Sequence, residues 1–554
     1  MSETPVLILR EGTSRSRGRD AQRSNIMAAK IVAEIVRSTI GPRGMDKMLV
    51  AGMGDIVITN DGATIMKEMD VQNPAAKMIV EISKTQDSEV GDGTTTAVVL
   101  AGELLAGAET LLDKDVHPNA IIDGYRNAAG KAQEILEKIA ITIKPDDELR
   151  LKQVAMTSLN TKGIFGSQNR FAELAVEAVM QITEKNNGKV KADIDLVKVM
   201  KKHGKSLEES ELVNGIIIDK EVSHSQMPKS VAGAKIALLN AKLEIEKTET
   251  DAKININKPE EMYQFIQEEE KLLRDMADQV AKTGANVLFS EKSIDDEVLS
   301  LLSKKGILTL KNVSSSDMEK LAKATGGSVV GTTRDLSKEA LGYAKLVEEV
   351  KIGDDKLVYV REAKNPKAVT IMIRGGSEHV VDEAERSLHD ALSVVRNAVE
   401  DGKIVAGGGA PEIELSKRLR EYAIKVGGRE QLAVTAFAEA LESIPVAIAQ
   451  NAGVNPIDIL VDLKSKHNTV QNIWFGVNTK TGKASDMLKM DVVEPLRVKT
   501  QVIKSAVEAV TMILRVDDVF ASKGGSSSGP GPGGPGGMPP GMGGGMPPGM
   551  MGGM

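Results

Sequence analysis

Apolar positions recur at helical spacing over both ends of this chain, while its middle alternates short apolar strands with helices. Arg19 to Ser38, dense in Ala, Ile and Val, reads as a helix that stops at "TIGPRG", where Gly41-Pro42 and Gly44 break it. "DIVITNDGATIMKEM" is rich in Ile, Val and Thr on both sides of Asn60-Asp61-Gly62 and predicts a hairpin. Long helical patterns then run to about Ile141, and "IKPDDELRLKQVAMTSLNTKG" marks a boundary. From about Val213, "ANVLFSE", "GILTLKNV" and "GGSVVG" predict strands between the helical runs "SIDDEVLSLLSKKG" and "SSSDMEKLAKATGG". Between Glu260 and Val280, Met262, Phe265, Ile266, Leu272, Leu273 and Met276 stand at helical spacing opposite a charged face, an amphipathic excursion from the α/β part. At Val369 a strand "VTIMI" turns through Gly375-Gly376 into a helix, with Ser377 as N-cap and Asp401-Gly402 at its end. Beyond "KIVAGGGAPE" helical texture returns as far as Phe520, and a Gly/Pro/Met tail follows that cannot bury a core.

Composition narrows the classes. At about 150 residues per domain, 554 residues predict three or four domains. Hydrophobic content of 41% and charged content of 27% are those of a soluble globular protein, and no stretch of eighteen or more apolar residues predicts a membrane span. Aromatics at 2% leave little for base stacking, and a net charge of −7 offers no field for nucleic acid or acidic membrane. The absence of Cys removes disulfides, thiol nucleophiles and thiolate metal sites, and suits a reducing compartment. The Arg- and Ser-rich opening contains Glu3, Glu11 and Asp20 and is expected to belong to the mature protein, in the cytoplasm. Six scattered His residues show no metal spacing.

"EVGDGTTTAVVLAGELL" carries the most chemistry. Gly91 and Gly93 let backbone approach a ligand, and Thr94, Thr95 and Thr96 add hydroxyls where helix amides attract anions. Asp92 would repel phosphate unless a hard cation such as Mg²⁺ bridges the two. The plainer reading is a loop with a Thr N-cap. The turns at Gly41 to Gly44 and Gly407 to Gly409 are tight turns or binding loops. Asp390 reads as a capping or solvated residue, and Lys162 as an exposed loop lysine. "HGKS" lacks the earlier glycine of a phosphate-binding P-loop, and Arg374-Gly375-Gly376 reads as a strand–helix turn rather than an RNA contact.

In order along the chain, "TIGPRGMDKML", "TNDGATIMKEM", "EVGDGTTTAVVLAGELL", "SLHDAL", "VAGGGAPE" and "NAGVNPIDIL" resemble the group II chaperonins, archaeal thermosome subunits among them, from about Thr13 to Phe520. The resemblance implies a multidomain α and α/β fold. Its parts would be a mainly helical equatorial ATPase domain (1–145 and 404–523), a small α+β intermediate hinge domain (146–213 and 369–403) and an α/β apical substrate domain (214–368). A helical protrusion at about 245–280 would close the cavity without a separate lid protein, and 524–554 would be a disordered tail.

It further implies an ATP-dependent chaperone and ATP hydrolase that captures unfolded polypeptides, with ATP and Mg²⁺ as cofactors. Subunits would self-associate into a stacked double ring of eight or nine per ring, of one kind or with paralogous subunits, with no nucleic acid or membrane partner. By the same resemblance Asp92 ligands Mg²⁺, and Gly93, Thr94, Thr95 and Thr96 cradle phosphates. Thr39, Gly41, Pro42 and Gly408 line the nucleotide pocket, and Glu494 with Asn478 meets the ribose. Asp61 and Asp390 position or activate the attacking water, and Lys162 senses the γ-phosphate. Apical helices near Asp295 to Lys304 and Asp317 to Ala324 are candidate client contacts. A small-molecule kinase would need a second acid/base site that the sequence does not display, and a non-catalytic scaffold would use the glycine turns structurally.

Overall fold

The helix Gly18–Arg37 (α1) turns Ile26, Ala29, Val32, Ala33 and Val36 inward, three and four residues apart, and this stripe fixes where it packs. The computed structural model describes residues 13–50, 54, 56–164, 166–186, 188–245, 259–353, 355–363 and 367–522. The part of the expected protrusion from 246 to 258 and the Gly/Pro/Met tail lie outside the described residues.

After α1 the chain forms Gly62–Glu68 (α2), Pro74–Val90 (α3), Thr94–Asp113 (α4) and Pro118–Ile139 (α5), then Glu148–Leu159 (α6) and Gln168–Ile182 (α7). Pro259–Lys282 (α8), Asp296–Lys304 (α9) and Ser315–Thr325 (α10) lie in the middle of the sequence. Glu378–Asp401 (α11), Ala410–Val426 (α12), Gly428–Asn451 (α13), Pro456–His467 (α14) and Leu496–Leu514 (α15) follow. The helix α11 begins at the Ser377 cap, whose side chain accepts from the Val380 amide, and ends at Gly402 in the left-handed region.

The three largest hydrophobic cores among the described residues organise these elements. The first gathers residues 26–139 and 405–514, so both ends of the sequence share one helical core around α4 and α13. Its termini are tied directly, because Thr13–Arg17 pairs antiparallel with Asp518–Ser522. The second core joins α6, α7 and α11 to the strands Val197–His203 and Val369–Gly375, which pair in parallel. The third fills one α/β unit. Its sheet runs Leu308–Leu310, Val287–Ser290, Ser230–Leu239, Gly342–Ile352, Asp355–Ala363, Gly215–Ile218, parallel at the first edge and antiparallel at the other. The middle of the chain is thus α/β between helical ends, a multidomain architecture of the expected class.

Two expectations are corrected. Asn60-Asp61-Gly62 is not a hairpin turn: Lys47–Val50 pairs with Ile56–Thr59, and Asp61 then caps α2. Asp61 accepts from the Thr64 amide at 2.8 Å, and this local bond starts a helix where the second strand was expected. Helices α4 and α13 are long and apolar enough to cross a membrane by length and hydropathy, unlike the sequence expectation. Both are central to the first core, and most of each is buried against other helices. Helix α8 is divided. Leu273, Ala277 and Val280 are buried in the α/β core, while Met262, Tyr263, Phe265, Ile266 and Leu272 are exposed.

Candidate functional site

The first turn of α4 is the site's floor. Gly93 precedes it with φ of 76°, a conformation open to glycine, and no side chain caps the helix. Its leading amides therefore remain available to an anion. Gln86 donates to the Asp92 carbonyl at 2.8 Å, and Asp92 Oδ1 accepts from the Gly93 amide at 2.6 Å. The preceding turn is pinned from α11: Asn397 donates to the Val90 carbonyl at 2.9 Å, and a Cβ on Gly91 would lie 2.2 Å from that of Ser393. On the other side Gly62 touches this turn, since a Cβ there would lie 2.4 Å from Thr95 Oγ1 and 2.9 Å from Thr94 Oγ1. Asp61 is thereby held beside Thr94 and Thr95. Thr39 joins them, with its hydroxyl 3.4 Å from that of Thr95.

Above the floor stands a buried ion cluster. Lys162 Nζ lies 2.6 Å from Asp390 Oδ2 and 3.5 Å from Asp61 Oδ1. The loop lysine is thus 6% exposed, not solvated as its sequence context implied, and Asp390 is equally buried on the inward face of α11. Burial works against the charge on Lys162, but Asp390, Asp61 and Asp92 together hold its ammonium well above the ordinary value. Burial pushes the Asp390 carboxyl well up, Lys162 pulls it back, and the neighbouring charges of Asp61 and Asp92 add to the rise. Burial also opposes ionisation of Asp61, yet Lys162 and two Thr64 hydrogen bonds keep it below the ordinary value. The two carboxyls on this lysine are driven apart, Asp61 downward and Asp390 upward.

The remaining residues form a second wall. Gly41, at φ 84°, meets Ile448 on α13, and Gly409 meets Pro445 on the same helix one turn earlier. The Gly41 and Gly408 loops are brought together by that helix. Asn451 donates to the Arg37 and Ile40 carbonyls and fixes the first loop, while Pro42 within it is exposed. Gly408, φ 64°, packs on Met487 and accepts from the Val477 amide at 2.9 Å. Asn478 ends the strand Phe475–Asn478, buried, with Oδ1 accepting from the Lys480 and Thr481 amides. Glu494 is 2.8 Å from Lys499 Nζ, which also reaches Glu412 at 2.9 Å. Burial raises the Glu494 carboxyl, partly offset by Lys499. Thr96 lines a small cavity together with Glu412 and Lys499. Val498 and Val502 of α15 touch Gly93 and join the Glu494 wall to the floor.

Sequence reasoning missed Thr64, Gln86, Asn397, Asn451 and Lys499. Only Thr64 had a local signal, an Asp three residues ahead of a Thr at a helix start. His389 is also closer to chemistry than its scattered place in the sequence implied: one ligand atom each of Asp87, His389 and Asp390 lies within 4.8 Å of the others.

The donors fit a nucleotide with a divalent cation. The uncapped α4 amides and three hydroxyls suit phosphate, and the Asp92 carboxylate beside them suits a hard cation. Asn60 Oδ1, buried without a partner, adds an unused acceptor next to Asp61.

Residues 32–524 match the TCP-1/cpn60 chaperonin family. Thermosome subunit beta of Archaeoglobus fulgidus is 58% identical over 535 residues, 97% of this chain and 98% of the relative. The thermosome subunit of Methanopyrus kandleri is 57% identical over 518 residues, 94% and 95% of the two chains. Among solved structures, the open-state monomer of a group II chaperonin from Methanococcoides burtonii aligns with a TM-score of 0.59 at 46% identity. That alignment covers 77% of this chain and all of the other. With its helical ends, α/β middle and phosphate-ready helix start, the chain belongs to the TCP-1/cpn60 chaperonins, as a group II subunit of the archaeal kind.

Proposed function

We propose that this chaperonin subunit is a Mg²⁺-dependent ATP hydrolase whose nucleotide cycle opens and closes a cytoplasmic double ring around unfolded polypeptides. The observation that carries the reading is the pairing of Asp61 and Asp390 on Lys162 directly beside the uncapped start of α4. Phosphates sit on the amides and hydroxyls of Thr94, Thr95 and Thr96, with Gly93 clearing the approach. Asp92 holds the cation, which when bound neutralises charge on the phosphates. Asp390, its carboxyl raised by burial, takes the proton of the attacking water, and Asp61 orients that water. Lys162 stabilises charge at the terminal phosphate. Glu494 and Asn478 meet the sugar from the second wall.

We further assign the first core to the equatorial role, the second to the hinge and the third to the apical role. Exposed apolar residues on the first half of α8 support a protrusion that closes the ring without a separate lid. On α9 and α10, Val298, Leu299, Leu302, Met318 and Leu321 are buried in the core, so these helices present mainly polar faces. Clients are accordingly assigned first to α8. Negative-stain electron microscopy without nucleotide, and with Mg-ATP and aluminium fluoride, tests the reading. Stacked rings that shut at their ends without an added partner are expected. Monomers or small dimers in both states would overturn it.

A further inference from the structure

His467 is 1% exposed at the end of α14, and nothing in the phosphate chemistry uses it. Its Nδ1 lies 2.9 Å from Glu414 Oε2 on α12, and its Nε2 lies 2.8 Å from the Phe475 carbonyl on the strand Phe475–Asn478. A carbonyl oxygen only accepts. Arg418 donates to the other Glu414 oxygen at 2.6 Å, and a carboxylate so paired only accepts. Two acceptors leave the ring one arrangement, with a proton on each nitrogen.

We propose that His467, as a buried imidazolium, is a positioning residue that clamps the two halves of the nucleotide pocket's second wall. The inference rests on the ATP-site reading above. Helix α12 starts at Ala410 with Gly409 as its N-cap, directly after Gly408, and the strand it is clamped to carries Asn478. The two elements meet where the Val477 amide donates to Gly408, and a Cβ on Gly476 would lie 2.7 Å from the Gly408 carbonyl oxygen. Their contact is backbone on backbone, with no side chain between Gly408 and Gly476 to hold it. His467 supplies the tie, one hydrogen bond to each element, both charge-assisted. Glu414, Arg418 and Lys417 face it from α12, with Lys417 donating to the His467 carbonyl at 2.7 Å. From its own helix Lys466 lies over the Phe475 ring, and Lys464 is turned away to Glu442 of α13. Lys417, Arg418 and Lys466 bring positive charge to this pocket against the single carboxylate of Glu414, so the second proton is held by hydrogen bonding to fixed acceptors rather than by a general acidic field.

Magic-angle-spinning NMR of the assembled protein labelled with ¹⁵N-histidine reads the clamp directly, with His467 identified by transfer to the Glu414 side-chain carbon. Protonated shifts at both nitrogens at neutral pH are expected. One bare nitrogen would overturn the proposal, and this result does not depend on ATP hydrolysis. For the positioning role, His467→Gln should raise the KM for ATP about tenfold while kcat stays within about twofold. Glu414→Gln should do the same. A fall in kcat at unchanged KM in both variants would overturn the role, whatever the NMR result.

Discussion

At Gly62 a single hydrogen separates a working cluster from a displaced one. An added Cβ would sit 2.4 Å from Thr95 Oγ1 and 2.8 Å from the Thr95 amide nitrogen, which is backbone and cannot swing away. Gly62→Ala should therefore push Asp61 off the start of α4. A shift of about 1 Å at a reacting centre costs on the order of a hundredfold in rate, so steady-state ATPase should fall while the ring still assembles; unchanged turnover would contradict the contact. Asp61 also titrates in a defined direction. Its carboxyl is held below the ordinary 3.8 in the folded chain, so its stabilisation is full above that value and is lost as pH falls through the lower folded value. The difference in thermal midpoint between the parent and Asp61→Asn should shrink as pH drops below 3.8. A difference that grows on acidification would mean that Lys162 does not hold this carboxylate ionised.

Among elements, α13 carries the most. It lies in the first core, spaces Gly41 and Gly409 one turn apart through Ile448 and Pro445, and sets Phe437 against Tyr125 with ring centroids 5.8 Å apart. Phe437→Ala should cost about 3–5 kcal/mol, read as an earlier transition in denaturant titration of the helical core. A loss under about 1 kcal/mol would mean the neighbours collapse into the gap. Elements of this kind were legible beforehand because periodicity is local: α1, α8 and α11 with its Ser377 and Gly402 caps all follow from spacing and end signals. The start of α2 was misread for the same reason. Asn-Asp-Gly signals a hairpin locally, but Asp61 capping Thr64 competes with it and wins. The cluster of Lys162 with Asp61 and Asp390 was beyond local pattern, since its members are separated by 101 residues and more. Resemblance identified them; their burial and mutual distances had to come from the fold. Glu414 and His467 had no signal of either kind.

For the whole molecule, the division of the cluster between cores matters most. Lys162 and Asp390 belong with α6, α7 and α11, whereas Asp61 and Asp92 belong with the helical core of the chain ends. Motion of the second body against the first would change the 3.5 Å separation of Lys162 from Asp61 and leave the 2.6 Å pair with Asp390 intact. In the proposed cycle, nucleotide state and domain position would then be coupled through one ammonium group. Lys162→Met should sever that link, giving rings that bind ATP but stay open under Mg-ATP in electron micrographs; normal closure would place the coupling elsewhere. All of this depends on Asp390 acting on water at the phosphate. The most direct test measures ATP binding and ATP hydrolysis side by side for the parent and Asp390→Ala. The account predicts ATP affinity close to that of the parent and hydrolysis slowed by about a hundredfold or more, as for loss of a general base. Hydrolysis within a few fold of the parent would contradict it.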